Sequence, residues 1–252
     1  MILMSIVPDI QSEMNRLISA AGEKSILLRL LGGLAVKVHQ KADHPVFRRE
    51  YGDLDFVVAG KQRREFEAFM PALGYFPHRQ FNLLNGAHRQ IYYHNETEMK
   101  VDIFVGAFEM CHKIPLEDRL HVHPITIPLA ELLLTKAQIA ELNRKDGLDI
   151  ASLLLFSETG KDDDMINLTQ IAKLCGVDWG LYKTTSINLK RVEEIISEEN
   201  VGLEESERGL IKQRIGDLQQ TFESMPKSLA WQMRDKVGTR VRWYEEVEEV
   251  AR

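Results

Sequence analysis

Asp53, Asp55 and Asp102 are the residues of this chain whose type and spacing could do chemistry. Two of them alternate in Tyr51-Gly52-Asp53-Leu54-Asp55-Phe56-Val57-Val58, and the third interrupts the apolar run Val101-Asp102-Ile103-Phe104-Val105. A strand sends successive side chains to opposite faces, so Asp53 and Asp55 project together while Leu54 and Phe56 point into a core. Neighbouring carboxylates on an apolar strand are costly unless an ion pair or a hard cation neutralises them. Mg2+ takes one or two carboxylates together with substrate phosphates. With a third carboxylate on an adjacent strand, two metal ions could clamp an in-line phosphoryl transfer.

Acids placed this way need rigid strands beneath them. Ser25 to Leu31 reads as a short apolar strand ending at Gly32-Gly33, with a helix from Leu34 to about Gln40. A polar loop leads to the strand from Asp53 to Ala59. Gly60 and Lys61 then open a helix with Phe66, Phe69, Met70 and Leu73 on one side, closed by Gly74. Arg89 to His94 and Met99 to Val105 form a predicted hairpin around Asn95-Glu96-Thr97-Glu98. Ile125 to Ile127 suits a short edge strand, and Pro8-Asp9 should cap an amphipathic helix carrying Ile10, Met14, Leu17 and Ile18.

From Pro128 onward only helices are expected: 129–142, 145–156, 167–174, 187–197, 204–222 and 228–250. The class is α+β, a mixed twisted sheet with flanking helices followed by an all-helical C-terminal domain. The expected domains are 1–127 and 128–252, with the working cleft between them.

Composition narrows the partners. The chain has 252 residues, 44% hydrophobic and 28% charged, with a net charge of −6. That charge argues against nonspecific coating of nucleic acid, which needs a broad basic face. The first half is neutral; the acidic excess lies entirely after Pro128. Cys111 and Cys175 have no metal-ligand spacing and read as free thiols in a reducing compartment. The apolar start, Met1 to Pro8, is too short and lacks the basic residues of a signal peptide. No stretch approaches the roughly 20 apolar residues of a membrane span. A cytoplasmic location is expected.

Gly32-Gly33, between strand and helix, lets backbone approach a phosphate, and the helix start offers free N–H groups. Neither a dinucleotide fingerprint nor a P-loop is present. Arg48 and Arg49, just before the aspartate strand, could offset triphosphate charge, or be solvated. Lys136, on an apolar helical stretch, must either pair with an acid such as Asp149 or point at phosphate. Asp146 and Asp149 suit the organisation of a helix pair. His121 and His123 alternate but lack companions for a zinc set. Trp231, Trp243 and Tyr244, with Val237 and Val241, are expected to pack a helical core.

The order Leu31-Gly32-Gly33-Leu34-Ala35-Val36, then Gly52-Asp53-Leu54-Asp55-Phe56, then Val101-Asp102-Ile103 resembles the nucleotidyltransferase superfamily, with its DNA polymerase beta-like palm. The wording looks most like the branch of abortive-infection toxin nucleotidyltransferases. Leu132 to Lys136 and Arg144 to Ile150 resemble the helical segment that follows the catalytic head in that branch. The resemblance implies Mg2+-dependent transfer of a nucleoside monophosphate from ATP or another triphosphate to a hydroxyl, releasing pyrophosphate. It implies that Asp53 and Asp55 hold Mg2+, and that Asp102 completes a second metal position and helps deprotonate the acceptor. Gly32 and Gly33 would cradle the β and γ phosphates. Many relatives carry Gly-Ser where this chain has Gly33. The acceptor stays open among a small molecule, tRNA and a protein. The alternative is a catalytically inactive nucleotide-binding protein, or a toxin–antitoxin regulator with a protein partner, on the same fold.

Overall fold

The computed structural model describes residues 9–246, so the apolar start and the end of the last expected helix lie outside the described residues. The chain divides into two compact units. The first comprises 1–34, 50–107 and 115–127, and the second 35–49, 108–114 and 128–252.

The first unit is built on a five-stranded sheet. In chain order its strands are β1 (Leu28–Leu31), β2 (Asp53–Val58), β3 (Tyr75–Pro77), β4 (Arg89–His94) and β5 (Lys100–Val105), arranged β1-β2-β5-β4-β3. Only the β2–β5 pair is parallel; the other three are antiparallel, which makes the sheet mixed. One face carries Leu28, Leu30, Leu54, Phe56, Val101 and Ile103, all buried. Helices α1 (Ile10–Glu23) and α3 (Arg63–Ala72) pack against this unit's strands, α1 on β1 and β2 and α3 on β3. Helix α1 buries Met14, Leu17 and Ala21, the stripe expected of a 3.6-residue period. Asp9 stands at its N-cap, but its carboxylate makes no capping bond. Tyr75 donates its hydroxyl hydrogen to Glu13 Oε1 at 2.7 Å, and Arg16 closes on the same carboxylate.

The hairpin of β4 and β5 lies where the sequence places it, with Glu98 in the left-handed region at φ 55°. Ile125 to Ile127 is reduced to one bridge: Leu30 N–H donates to Ile125 and Ile127 N–H to Leu30. Two elements have no sequence signal, β3 and the following helix α4 (Arg79–Asn85). A three-residue strand ending in proline is too short for periodicity to register. Helix α2 (Gly32–Val38) starts immediately after β1.

The second unit is mainly helical: α5 (Leu129–Ala137), α6 (Arg144–Phe156), α7 (Leu168–Val177), α8 (Trp179–Ser197), α9 (Glu205–Ser224) and α10 (Leu229–Val237). Every residue of α5 is buried, as expected of a helix apolar nearly all round. Side-chain oxygens of Asn143, Asn167, Asp178 and Ser228 cap α6, α7, α8 and α10. Two corrections apply to the expectation of helices alone. The small ribbon of Ala107–Glu109 (β6) and Lys113–Pro115 (β7) precedes Pro128 and lies outside that expectation, whereas Thr159–Gly160 (β8) pairs in parallel with Ile166–Asn167 (β9). The last helix also stops early, at Val237 before Gly238, leaving Val237 and Val241 exposed while Trp231 is buried. Cys111 and Cys175 are free and buried. Among the described residues no helix is long and apolar enough to cross a membrane.

Candidate active site

The register of the first sheet assembles the three aspartates. Asp55 pairs with Asp102 across β2 and β5, and Asp53 pairs with Lys100. Residues directly opposite share a face and lie about 4.8 Å apart between strands. One face of the sheet therefore carries Asp53, Asp55, Lys100 and Asp102 side by side, opposite to the buried Leu54, Phe56 and Ile103. Exposure grades across the group: Asp53 is exposed, Asp55 half-buried and Asp102 2% exposed.

Gly32 makes room for one of these acids. Leu31 pairs with Asp55, so the next residue turns directly over its carboxylate. Gly32 has φ +74°, and a Cβ built there would overlap Asp55 Oδ2. Both the conformation and the close approach demand glycine. Asp53 and Asp55, two carboxylates on one face of the start of β2, suit a hard cation that shares its remaining positions with phosphate oxygens.

Asp102 is differently placed. Arg89 donates from Nε to Asp102 Oδ1 at 2.9 Å and from Nη2 to Oδ2 at 2.5 Å, a two-point fork. Lys100 Nζ stands 3.5 Å from the same Oδ2. The guanidinium lies over the rings of Phe104 and Phe81, 5.2 and 5.8 Å from their centroids. Burial works against the Arg89 charge, but Asp102, with a further contribution from Asp55, raises its pKa above the ordinary arginine value. Among the described residues, no group of three His, Cys, Asp or Glu side chains could hold a metal ion together.

Sequence reasoning overlooked Arg89 and Lys100. Lys100 was within reach, since it precedes Asp102 by two residues and so shares its face. Arg89 was not, because its meeting with Asp102 depends on the register of the hairpin.

Arg48, Arg49 and Lys136 belong to the second unit, and each faces an acid. Arg48 pairs with Asp43 at 2.5 Å on the surface. Arg49 Nη2 donates to both oxygens of Asp149, at 2.9 and 2.7 Å. Lys136 Nζ lies 3.0 Å from Asp146 and 2.9 Å from Asp149, so of its two sequence readings the acid-paired one describes the structure. Burial alone would depress its pKa, but Asp149 and Asp146 raise it. A buried ammonium must be neutralised where it stands. His121 and His123 lie in turns rather than on a strand, and His123 Nδ1 accepts the Thr126 N–H at 2.9 Å.

No family model matches the chain, and no curated protein does. Among solved structures, the antibiotic-resistance factor ANT(2'')-Ia is similar over 85% of this chain and 97% of its own, at 14% identity and a TM-score of 0.39. An antigenic nucleotidyltransferase-like protein from Paracoccidioides brasiliensis is similar over 89% and 96%, at 13% identity and a TM-score of 0.42. Likeness of this depth does not assign the chain to a family.

Proposed function

We propose that the chain is a nucleotidyltransferase, moving a nucleoside monophosphate from a nucleoside triphosphate to a hydroxyl acceptor with release of pyrophosphate. The observation that carries this reading is the Asp53–Asp55 pair on one face of β2, with Gly32 leaving the space that Asp55 occupies. Two adjacent carboxylates and a backbone stripped of its Cβ are the parts needed to hold a Mg2+–triphosphate.

Bound Mg2+ would neutralise triphosphate charge and polarise the α phosphorus. Asp53 and Asp55 fix that ion relative to the sheet. Gly32 keeps the chain entering α2 close against Asp55, and Gly33 adds no side chain between backbone and phosphate. Most of the rate enhancement then comes from positioning the phosphorus in line with the acceptor and from charge already oriented around it. Arg48, Arg49 and Lys136 stay with their acids in this scheme and are not assigned to phosphate.

The test is incubation with each of four α-labelled nucleoside triphosphates, with Mg2+ or EDTA, in the presence of small-molecule hydroxyl compounds, tRNA or cell lysate. Label should move to an acceptor with Mg2+ and the wild-type chain, and should not with Asp53→Asn. Triphosphate binding without transfer in any mixture would favour the nucleotide-binding or regulatory alternative. Undiminished transfer by Asp53→Asn would refute the proposal.

A further inference from the structure

Resting on that reading, we infer that the acceptor is a small hydroxyl compound built on a flat conjugated ring, held against Tyr93 and Phe76. Strand register builds this part of the site. Across the sheet, Asp53 pairs with Lys100, Lys100 with Tyr93, and Tyr93 with Phe76. Directly opposite residues share a face, so these four side chains form one row from β2 to β3, on the face that holds the three aspartates. At about 4.8 Å per strand gap the row is about 14 Å long, room for one small molecule.

This row is where the face meets solvent. Two residues further along the strands, Leu31, Asp102 and Ile91 share the face and are buried. In the row itself Asp53 is exposed, Lys100 and Tyr93 are half-buried, and Phe76 is 51% exposed. The alternation along β3 is clear: Tyr75 is buried on the opposite face with its hydroxyl on Glu13, and Phe76 turns outward. Among the described residues neither the Tyr93 hydroxyl nor the Lys100 ammonium makes a hydrogen bond; Lys100 has only its ion pair with Asp102 at 3.5 Å. Two aromatic side chains kept partly in water, in line with a carboxylate assigned to the metal ion, suit a ring that stacks on them.

Direction decides which substrate lies there. Strand β1 and the Gly32 that follows it flank β2 on one side; β5, β4 and β3 continue on the other. In-line displacement puts the attacking and leaving oxygens on opposite sides of the α phosphorus. With the leaving phosphates toward Gly32 and Gly33, the acceptor hydroxyl comes from the side of Lys100, Tyr93 and Phe76. The length of the row fits a single compound. The net charge of −6 offers no broad basic face to a nucleic-acid chain.

The test compares 2-naphthalenemethanol with its saturated counterpart, decahydro-2-naphthalenemethanol, which carry the same hydroxyl on a flat and on a puckered frame. Their dissociation constants for the full chain are measured by saturation-transfer NMR, with Mg2+ and the α,β-imido analogue of each of the four common nucleoside triphosphates. The flat probe should bind about 2- to 10-fold more tightly. Phe76→Ala, a change at an exposed position, should remove most of that preference and leave the urea midpoint near wild type, and Tyr93→Ala should remove it as well. A merely apolar surface would favour the saturated probe, the more hydrophobic of the two. Equal or reversed preference in the wild-type chain, no binding of either probe, or a preference unchanged in both variants would overturn the inference. So would α-label that passes only to tRNA or to a protein, an outcome that leaves nucleotidyl transfer standing. Label that reaches no acceptor in any mixture, with no triphosphate bound, would remove that reading and the acceptor site with it. Because the wild-type comparison decides the matter, the result does not depend on how well any variant folds.

Discussion

Asp102 in the first unit and Asp149 in the second each set both carboxylate oxygens against an arginine and lie beside a lysine. Their neighbourhoods nevertheless differ in exposure. Around Asp149, Asp146 and Lys136 are buried and Arg49 is half-buried, so the group lies away from solvent. Around Asp102, the same sheet face runs outward through the half-buried Asp55 to the exposed Asp53. Residue type does not separate an ion network that holds helices together from a site that binds something. Whether acids of the group reach solvent does separate them.

That contrast breaks most readily at Lys136. Lys136→Met leaves Asp146 and Asp149 short of a buried counter-charge, and removing one partner of a buried pair costs about 3–5 kcal/mol. At roughly 2–4 °C per kcal/mol for a chain of this size, the thermal midpoint should fall by about 6–20 °C. A change within about 0.5 kcal/mol, the range of ordinary surface substitutions, would show that the cluster is not structural.

Asp53→Asn should do the opposite. Loss of an exposed ligand should cut transfer by about 10²-fold or more, the several kcal/mol a metal ion supplies. The urea midpoint should stay within about 0.5 kcal/mol of wild type. A large loss of stability with transfer intact would make the first unit's acids structural too.

A smaller effect separates the site from backbone strain. Gly32 and Gly74 both have positive φ, +74° and +88°. The left-handed backbone alone should make alanine at either cost about 1–2 kcal/mol in unfolding, and the overlap with Asp55 adds to that at Gly32. Only Gly32→Ala, whose Cβ meets Asp55, should also weaken Mn2+ binding measured by dialysis. Equal Mn2+ binding in the two variants would detach Gly32 from the site.

The smallest expectation concerns pH. The Lys136 pKa is raised in the folded chain above its ordinary 10.5. Its contribution to stability is therefore fully present below pH 10.5 and is lost as pH rises through the higher folded value. Urea midpoints followed upward from pH 9 should decline more steeply for wild type than for Lys136→Met above pH 10.5. Parallel curves would mean that the folded pKa is not raised.

Periodicity accounts for what the sequence disclosed. The alternation in Asp53-Leu54-Asp55-Phe56 placed two acids on one face, and the hairpin of Arg89 to Val105 was visible from two β-like runs and a short loop. Helices α6 to α9 announced themselves through apolar spacing, although α8 begins at Trp179, eight residues ahead of Ile187. Strands β3, β8 and β9 are too short to carry a period. The allotment of 35–49 and 108–114 to the second unit has no local signature at all.

For the site, amino-acid order alone determined which acids alternate, where glycine follows a strand, and which apolar residues lie beneath them, since these depend on a two-residue repeat. Tertiary structure decided that Asp102 belongs to Arg89 and Lys136 to Asp146 and Asp149. Such pairings depend on strand register and helix packing, which bring distant positions within 3 Å or so. Burial then makes the pairing compulsory, because a charge removed from water must be neutralised by whatever the fold has placed beside it.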